Sequence, residues 1–295
     1  MLRNFLRPAV DEWIIFSLSG RRPFEDYIHV IPVGGGTFKP ILEPGHDRSF
    51  LTASGNSLGQ ELVVTVHARV GDGAEDHLYL YEPTARRWRR LLELAGTDGG
   101  GTLSPDGTKV AFIHATDNGD RFPRLWLLDL SSGLLDRLAI PEEGWDAEPR
   151  WIPSGAAIGY IHLRRGDRGL LSSLRLVELN HRAHKELLGA EEGAGAFCFS
   201  PDGSEVLVWT RNGLEAVGLQ KDERRVIMPA GALPELRIRS GSLDWSRRSR
   251  KIAFAIYNVN KRQDEIWTIS EDGSNAQTIF RIPDASITRL CFIQP

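Results

Sequence analysis

A tight-turn signature returns along this chain at a spacing that leaves few folds open to it. Ser104-Pro105-Asp106-Gly107 precedes the β-rich run Lys109-Val110-Ala111-Phe112-Ile113, and Ser200-Pro201-Asp202-Gly203 precedes Glu205-Val206-Leu207-Val208-Trp209. Degenerate copies stand at Gly55-Asn56-Ser57-Leu58-Gly59, Trp151-Ile152-Pro153-Ser154-Gly155 and Trp245-Ser246-Arg247-Arg248-Ser249. Their last residues, Gly59, Gly107, Gly155, Gly203 and Ser249, are 48, 48, 48 and 46 residues apart. Proline presets φ at the first central position, aspartate bonds nearby backbone amides, and glycine supplies the positive φ that closes a hairpin. Each copy therefore joins two antiparallel strands, and the period marks a repeat architecture.

A third strand follows each pair, at 77–82, 125–129, 173–179, 214–219 and 265–270, and a shorter fourth at 88–92, 134–138, 185–188, 225–228 and 277–280. Four short strands per repeat predict an all-β fold, a six-bladed β-propeller of four-stranded antiparallel blades. Only five repeats carry their own inner strand. The N-terminal segment has later strands alone, at 12–18, 26–33 and 38–42, whereas 287–293 is an inner strand with nothing after it. Joining the two termini makes the sixth blade and leaves no open sheet edge. The expected organisation is a tail at 1–9, a closing blade from 10–43 plus 287–293, and further blades at 48–94, 98–140, 147–190, 195–230 and 241–282.

The 36 basic and 39 acidic residues nearly balance, so no global pull toward nucleic acid or anionic membrane is expected. One basic run, Arg86-Arg87-Trp88-Arg89-Arg90, is too short and too poor in aromatics for a nucleic-acid surface. No apolar stretch approaches the ~20 residues that span a bilayer. The first sixteen residues contain Arg3 and Arg7, but Asp11 and Glu12 interrupt them and no apolar run of signal-peptide length follows. The expectation is a cytoplasmic protein with no membrane insertion. Cys198 and Cys291 occupy equivalent inner-strand positions in different blades, which predicts two small buried apolar residues rather than a disulfide.

Ser-Pro-Asp-Gly leading on to Leu125-Trp126-Leu127-Leu128-Asp129, and Glu265-Ile266-Trp267-Thr268-Ile269 before Asp272-Gly273, resemble the repeat of TolB-like (WD-repeat-like) six-bladed propellers. The resemblance spans essentially the whole chain and implies the fold. TolB itself acts by binding other proteins, so the resemblance also implies a binding role, as an analogy at the level of the fold. Related repeats form the substrate-gating propeller of prolyl-oligopeptidase-like peptidases; their hydrolase domain is not expected here.

Candidate chemistry is sparse. Gly55-Asn56-Ser57-Leu58-Gly59 matches G-x-S-x-G, but that motif works at a strand–turn–helix junction and here it occupies a hairpin turn before a strand. Ser57, Asp106 and Asp202 read as turn residues, and no catalytic residue is expected. His67, His114 and His162 recur 47 and 48 residues apart near the ends of second strands, with His67 offset by one position, and His46 lies in an inner-strand approach loop. Imidazoles gathered from adjacent blades are able to ligate a metal. That is the basis of the alternative function, a small-ligand binder or a metal-dependent lyase or hydrolase. The preferred expectation is that they repeat because the blades repeat, and that no cofactor is needed. Asp117-Asn118-Gly119-Asp120 lacks a full set of calcium ligands and reads as a solvated turn.

One rim gathers acidic Glu142, Glu143, Asp146, Glu148, Glu191 and Glu192 with basic Arg164, Arg165 and Arg168, Arg21 with Arg22, and Lys261 with Arg262. Trp145 and Phe122 stand among them. Buried aromatics and arginines dominate interface energetics. The expected partner-binding set is accordingly Trp145, Arg164, Arg165, Glu142, Glu143 and Phe122, and the expected function is a non-enzymatic scaffold for a protein or peptide.

Overall fold

A computed structural model describes residues 12–22, 24–55, 60–116, 122–138, 140, 142–167, 169–220, 223–232 and 236–293. The tail at 1–9, Ser57, the loop 117–120 and Arg168 lie outside the described residues. Among the described residues one short 3-10 turn, Ala230–Ala232, is the sole helical element. Among the same residues no helix is long and apolar enough to cross a membrane.

In chain order the strands are β1 (Trp13–Ser19), β2 (Asp26–Pro32), β3 (Lys39–Leu42), β4 (Arg48–Gly55), β5 (Leu62–Val70), β6 (Gly73–Glu82) and β7 (Arg87–Arg90). Then come β8 (Thr97–Leu103), β9 (Lys109–Ala115), β10 (Arg124–Asp129), β11 (Leu135–Arg137), β12 (Trp145–Trp151), β13 (Ala157–Gly166), β14 (Gly169–Glu178) and β15 (His184–Leu188). The rest are β16 (Phe197–Phe199), β17 (Glu205–Thr210), β18 (Gly213–Gly218), β19 (Arg224–Pro229), β20 (Leu236–Trp245), β21 (Lys251–Asn258), β22 (Gln263–Ser270), β23 (Gln277–Pro283) and β24 (Ser286–Ile293). They pair into six four-stranded antiparallel sheets, the blades of a six-bladed β-propeller. Five sheets follow chain order; the sixth runs β24-β1-β2-β3, so the C-terminal strand completes the N-terminal blade. The chain divides into two compact units of three blades, one comprising the described residues up to Leu92 and from Gly231 on, the other Glu93–Ala230.

The alternation of side chains along a strand builds the core of each unit. In the unit holding both termini, Trp13 and Ile15 of β1 face a cluster with Leu62, Val64 and Ile293. Ile14, Phe16 and Leu18 face the opposite cluster with Ala253, Ala255 and Ile266. Both faces of β1 are thus buried, which is why it reads as a near-continuous apolar run. In the other unit Ile158 and Tyr160 of β13 pack with Ala111 and Leu125, while Ala157 and Ile161 pack with Phe197 and Val206. Cys198 and Cys291 are buried and not joined in a disulfide, as their register predicts.

The turns follow their chemistry. Gly107, Gly155 and Gly203 have φ of 75°, 75° and 73°. Oδ1 of Asp106 accepts the Ser104 hydroxyl at 2.6 Å and the Thr108 amide at 3.1 Å, and Asp202 repeats this with Ser200 and Ser204. Those donors hold the Asp202 carboxyl down at about 2, the Ser200 hydroxyl contributing most. The fifth turn differs. Lacking glycine, it moves the positive φ to Arg250, at 55°, and Ser246 Oγ replaces aspartate as acceptor for the amides of Arg248 and Ser249, at 3.0 and 2.9 Å.

The closing blade is fastened at several points. β24 pairs with β1 from Trp13↔Ile293 to Ser19↔Ser286, with a register shift between Ser17 and Leu18. The amides of Ile287 and Phe292 donate to Asp264 and Asp244, both at 2.7 Å, and Thr288 Oγ1 donates to the Leu51 carbonyl at 3.1 Å. Buried Glu12, just before β1, accepts the Ser246 hydroxyl at 2.5 Å.

His29 on β2 is enclosed by aromatic rings, its centroid 5.5 Å from Phe16, 5.7 Å from Tyr27 and 5.3 Å from Phe38. Burial disfavours its charged form and lowers its pKa from 6.5 to about 4. The unfolded chain therefore binds a proton at a pH where the folded chain does not. His29 supports stability above pH 6.5, and that support is lost as pH falls toward about 4. The denaturant midpoint should drop between pH 7 and pH 5, and drop less in His29→Phe. An equally steep drop in the variant would clear His29 of this role.

Candidate functional site

Inner strands begin and second strands end at one end of each blade, so the loops there bring together residues from separate parts of the chain. In the unit spanning Glu93–Ala230 the arrangement centres on Asp146 of β12 and His162 of β13, opposite each other in the sheet register. His162 Nδ1 lies 2.9 Å from Asp146 Oδ1, and its Nε2 donates to the Glu143 carbonyl at 3.0 Å. The other Asp146 oxygen accepts the Leu125 amide of β10 at 3.0 Å, so one buried carboxylate joins two blades.

The pairing recurs one blade earlier, where His114 Nδ1 of β9 is 2.7 Å from Asp98 Oδ1 of β8. In both blades a glycine with positive φ stands two residues before the aspartate: Gly96 at 122° and Gly144 at 111°. A Cβ on Gly144 would lie 2.2 Å from the Leu163 carbonyl oxygen and 2.9 Å from His162 Nε2. Only glycine lets the chain close over the imidazole at that distance.

His67 is held differently. It bonds Asp76 of β6 at 2.6 Å and is more open, at 29% exposed. The inner-strand place opposite it belongs to Ser49, whose hydroxyl donates to Asp26 at 2.6 Å. This is the physical counterpart of its one-residue offset. His46 is exposed in the approach to β4. Each of His67, His114 and His162 thus has a carboxylate from its own blade. Among the described residues no three His, Cys, Asp or Glu side chains are grouped to hold a metal.

Phe122 and Trp145 stack on this rim with centroids 6.3 Å apart and planes 10° from parallel. Trp145 is half-buried, while Phe122 is 47% exposed. Beneath them Arg124 places its guanidinium carbon 5.9 Å from the Phe122 centroid and donates to the Glu142 carbonyl at 2.8 Å. The Glu142 carboxylate accepts Arg175 Nη1. Glu142 is therefore a strut for the loop, and Glu143, Arg164 and Arg165 are exposed around it. Tyr160 and His184 support the same blade from below, 3.2 Å apart. Burial raises the tyrosine pKa and lowers the histidine's, which keeps both neutral.

Several of these participants were not anticipated: Asp98 as a histidine partner, Arg124, Arg175 and the two rim glycines. Gly96 and Gly144, like Asp98 and Asp146, are 48 residues apart, so the repeat carried their signal. A comparable aromatic stands in the other unit. Phe24 precedes β2 by two residues, as Phe122 precedes β10; its ring lies 4.9 Å from His67, with Arg69 over it at 5.2 Å. Arg87–Arg90 of the basic run form the outer strand β7, with all four side chains exposed. There Trp88 stacks on Tyr81 at 4.3 Å and Arg87 bonds Glu82 at 2.6 Å.

No family model matches the sequence, and no curated protein matches it. Solved structures do. TolB from Acinetobacter baumannii superposes with a TM-score of 0.76 at 16% identity, covering 99% of this chain and 68% of that one. The nidogen/laminin complex gives 0.66 at 9% identity, covering 95% of this chain and 98% of that one. An oligogalacturonate lyase in complex with manganese gives 0.56 at 15% identity, covering 93% and 75%. At these identities the likeness is one of fold.

Proposed function

We propose that this chain, a six-bladed propeller of the TolB-like fold, is a non-enzymatic scaffold that binds a protein or peptide through the rim bearing Phe122 and Trp145. The observation that carries the reading is the stacked, partly exposed aromatic pair held in place by Arg124, Glu142 and Arg175. Large rigid aromatic area lowers the ordering cost of association, and flanking Arg164 and Arg165 supply charge that steers an acidic partner. TolB and the nidogen of the laminin complex lend support as propellers of similar fold. A cytoplasmic setting belongs to this reading and is consistent with two buried cysteines that form no disulfide.

The histidine-based enzymatic reading has less behind it, because His114 and His162 are buried and engaged by Asp98 and Asp146. Capture of the native full-length protein, with mass spectrometry, should return a stoichiometric partner. Trp145→Ala with Arg164→Ala should weaken that partner's affinity about tenfold or more, as expected for a central anchor. Undiminished binding by this variant would remove the rim from the reading.

A further inference from the structure

In the unit holding both termini, a cleft of about 600 Å³ opens between the closing blade and the blade β20–β23. Ser19, Gly20 and Arg21 line it from the end of β1, Tyr257, Lys261 and Arg262 from the β21–β22 hairpin, and residues 283–286 from the loop into β24. Arg239 of β20 forms its back wall. Four cationic side chains meet there against three carboxylates, Asp284 at the mouth, Asp264 behind Arg239 and Asp26 behind Ser19.

Arg239 is pre-set to receive a ligand. Its Nε and Nη2 donate to the two oxygens of Asp264 at 2.8 and 2.6 Å, and the Tyr257 ring lies 5.0 Å from its guanidinium carbon. Asp264 is fully buried and also accepts the Ile287 amide, so the guanidinium is clamped from behind. Its side chain remains 32% exposed, and Nη1 has no partner among the described residues. A planar guanidinium held this way loses little freedom when it binds an oxyanion. Lys261 and Arg262 are exposed at the hairpin and make no salt bridge among the described residues. Among the described residues Arg21 is paired only with Asp284, both largely exposed, and such a surface pair holds its partners weakly. Ser286 adds a hydroxyl at the floor, while the Ser19 hydroxyl donates to Asp26 at 2.5 Å.

We infer that this cleft binds a small multivalent oxyanion, a polycarboxylate or a phosphate ester, between Arg239 and the Lys261–Arg262 hairpin. The inference uses none of Phe122, Glu142, Glu143, Trp145, Arg164 and Arg165, the residues proposed for partner binding, and stands or falls independently of them.

Citrate and inorganic pyrophosphate, titrated calorimetrically into the full chain at low ionic strength, provide the test, with acetate as the monovalent control. At least one should bind with one-to-one stoichiometry and lose affinity as salt is added. Citrate alone would assign the site to carboxylates, pyrophosphate alone to phosphates, and both to oxyanions generally. Lys261→Gln with Arg262→Gln should weaken binding about tenfold or more, since two positive charges leave the wall. Asp284→Asn should tighten it several-fold by removing the opposing charge and freeing Arg21; asparagine accepts the positive φ of 65° at this position. Circular dichroism and the denaturant midpoint should be unchanged in both variants. Failure of both anions to bind, an unmoved affinity in the double variant, or no gain in Asp284→Asn would each overturn the site.

Discussion

Removal of residues 286–295 is expected to abolish the cooperative unfolding transition and turn a monodisperse protein into aggregate. The loss exposes the whole edge of β1, which pairs with β24 from Trp13 to Ser19. It also removes Ile287, Leu290 and Ile293, each essentially fully buried. At ~1.5–3 kcal/mol per buried side chain these three contribute about 4–9 kcal/mol, comparable with the ~5–15 kcal/mol total stability of a typical domain. Asp264 and Asp244 lose the amide donors of Ile287 and Phe292 at the same time. An unpaired, flat, apolar strand edge then templates association. Thermal scans and light scattering read both effects. A truncated chain that stays monodisperse with an unchanged midpoint would mean the seam does not hold the fold.

Asp146→Ala should be the most damaging single substitution on the rim, costing about 3–5 kcal/mol as for other broken buried charged contacts. The change leaves His162 Nδ1 and the Leu125 amide facing a cavity in place of their acceptor. Two blades lose one of their ties as well, because Leu125 and Asp146 belong to neighbouring sheets. Asp146→Asn keeps the shape and one acceptor oxygen, so its loss should be clearly smaller. Urea midpoints of both variants, compared at neutral pH, measure the difference. A loss below about 1 kcal/mol for the alanine variant would show the carboxylate to contribute no more than an ordinary surface pair does.

The two predictions concern features of unequal visibility. The seam was legible because 12–18 and 287–293 are strand-like runs that lack complementary partners within their own repeats. The histidine spacing was equally plain, but its meaning was not. His114 and His162 recur at 48 residues, and so do Asp98 and Asp146. Nothing local says that those aspartates face the histidines across a ladder rather than solvent. Ser249 marks a further limit: it holds the place of a turn glycine, yet the backbone moves the left-handed residue on to Arg250. Turn geometry there is settled by Ser246, whose hydroxyl accepts two amides while it donates to Glu12, 234 residues away in the chain.

By itself the sequence determined the blade. Turn chemistry and a two-residue alternation act over a few positions, and each repeat states them again, so strand number, turn position and closure could be read without coordinates. Tertiary structure alone decided which polar side chains meet. Arg21 lies beside Asp284 because the closing blade brings the two ends of the chain together, and Arg239 lies between Asp264 and Tyr257 because β20, β21 and β22 are neighbours in one sheet. Charge and hydrogen bonding act through space over a few ångströms, and the sequence distance between such partners carries no trace of it.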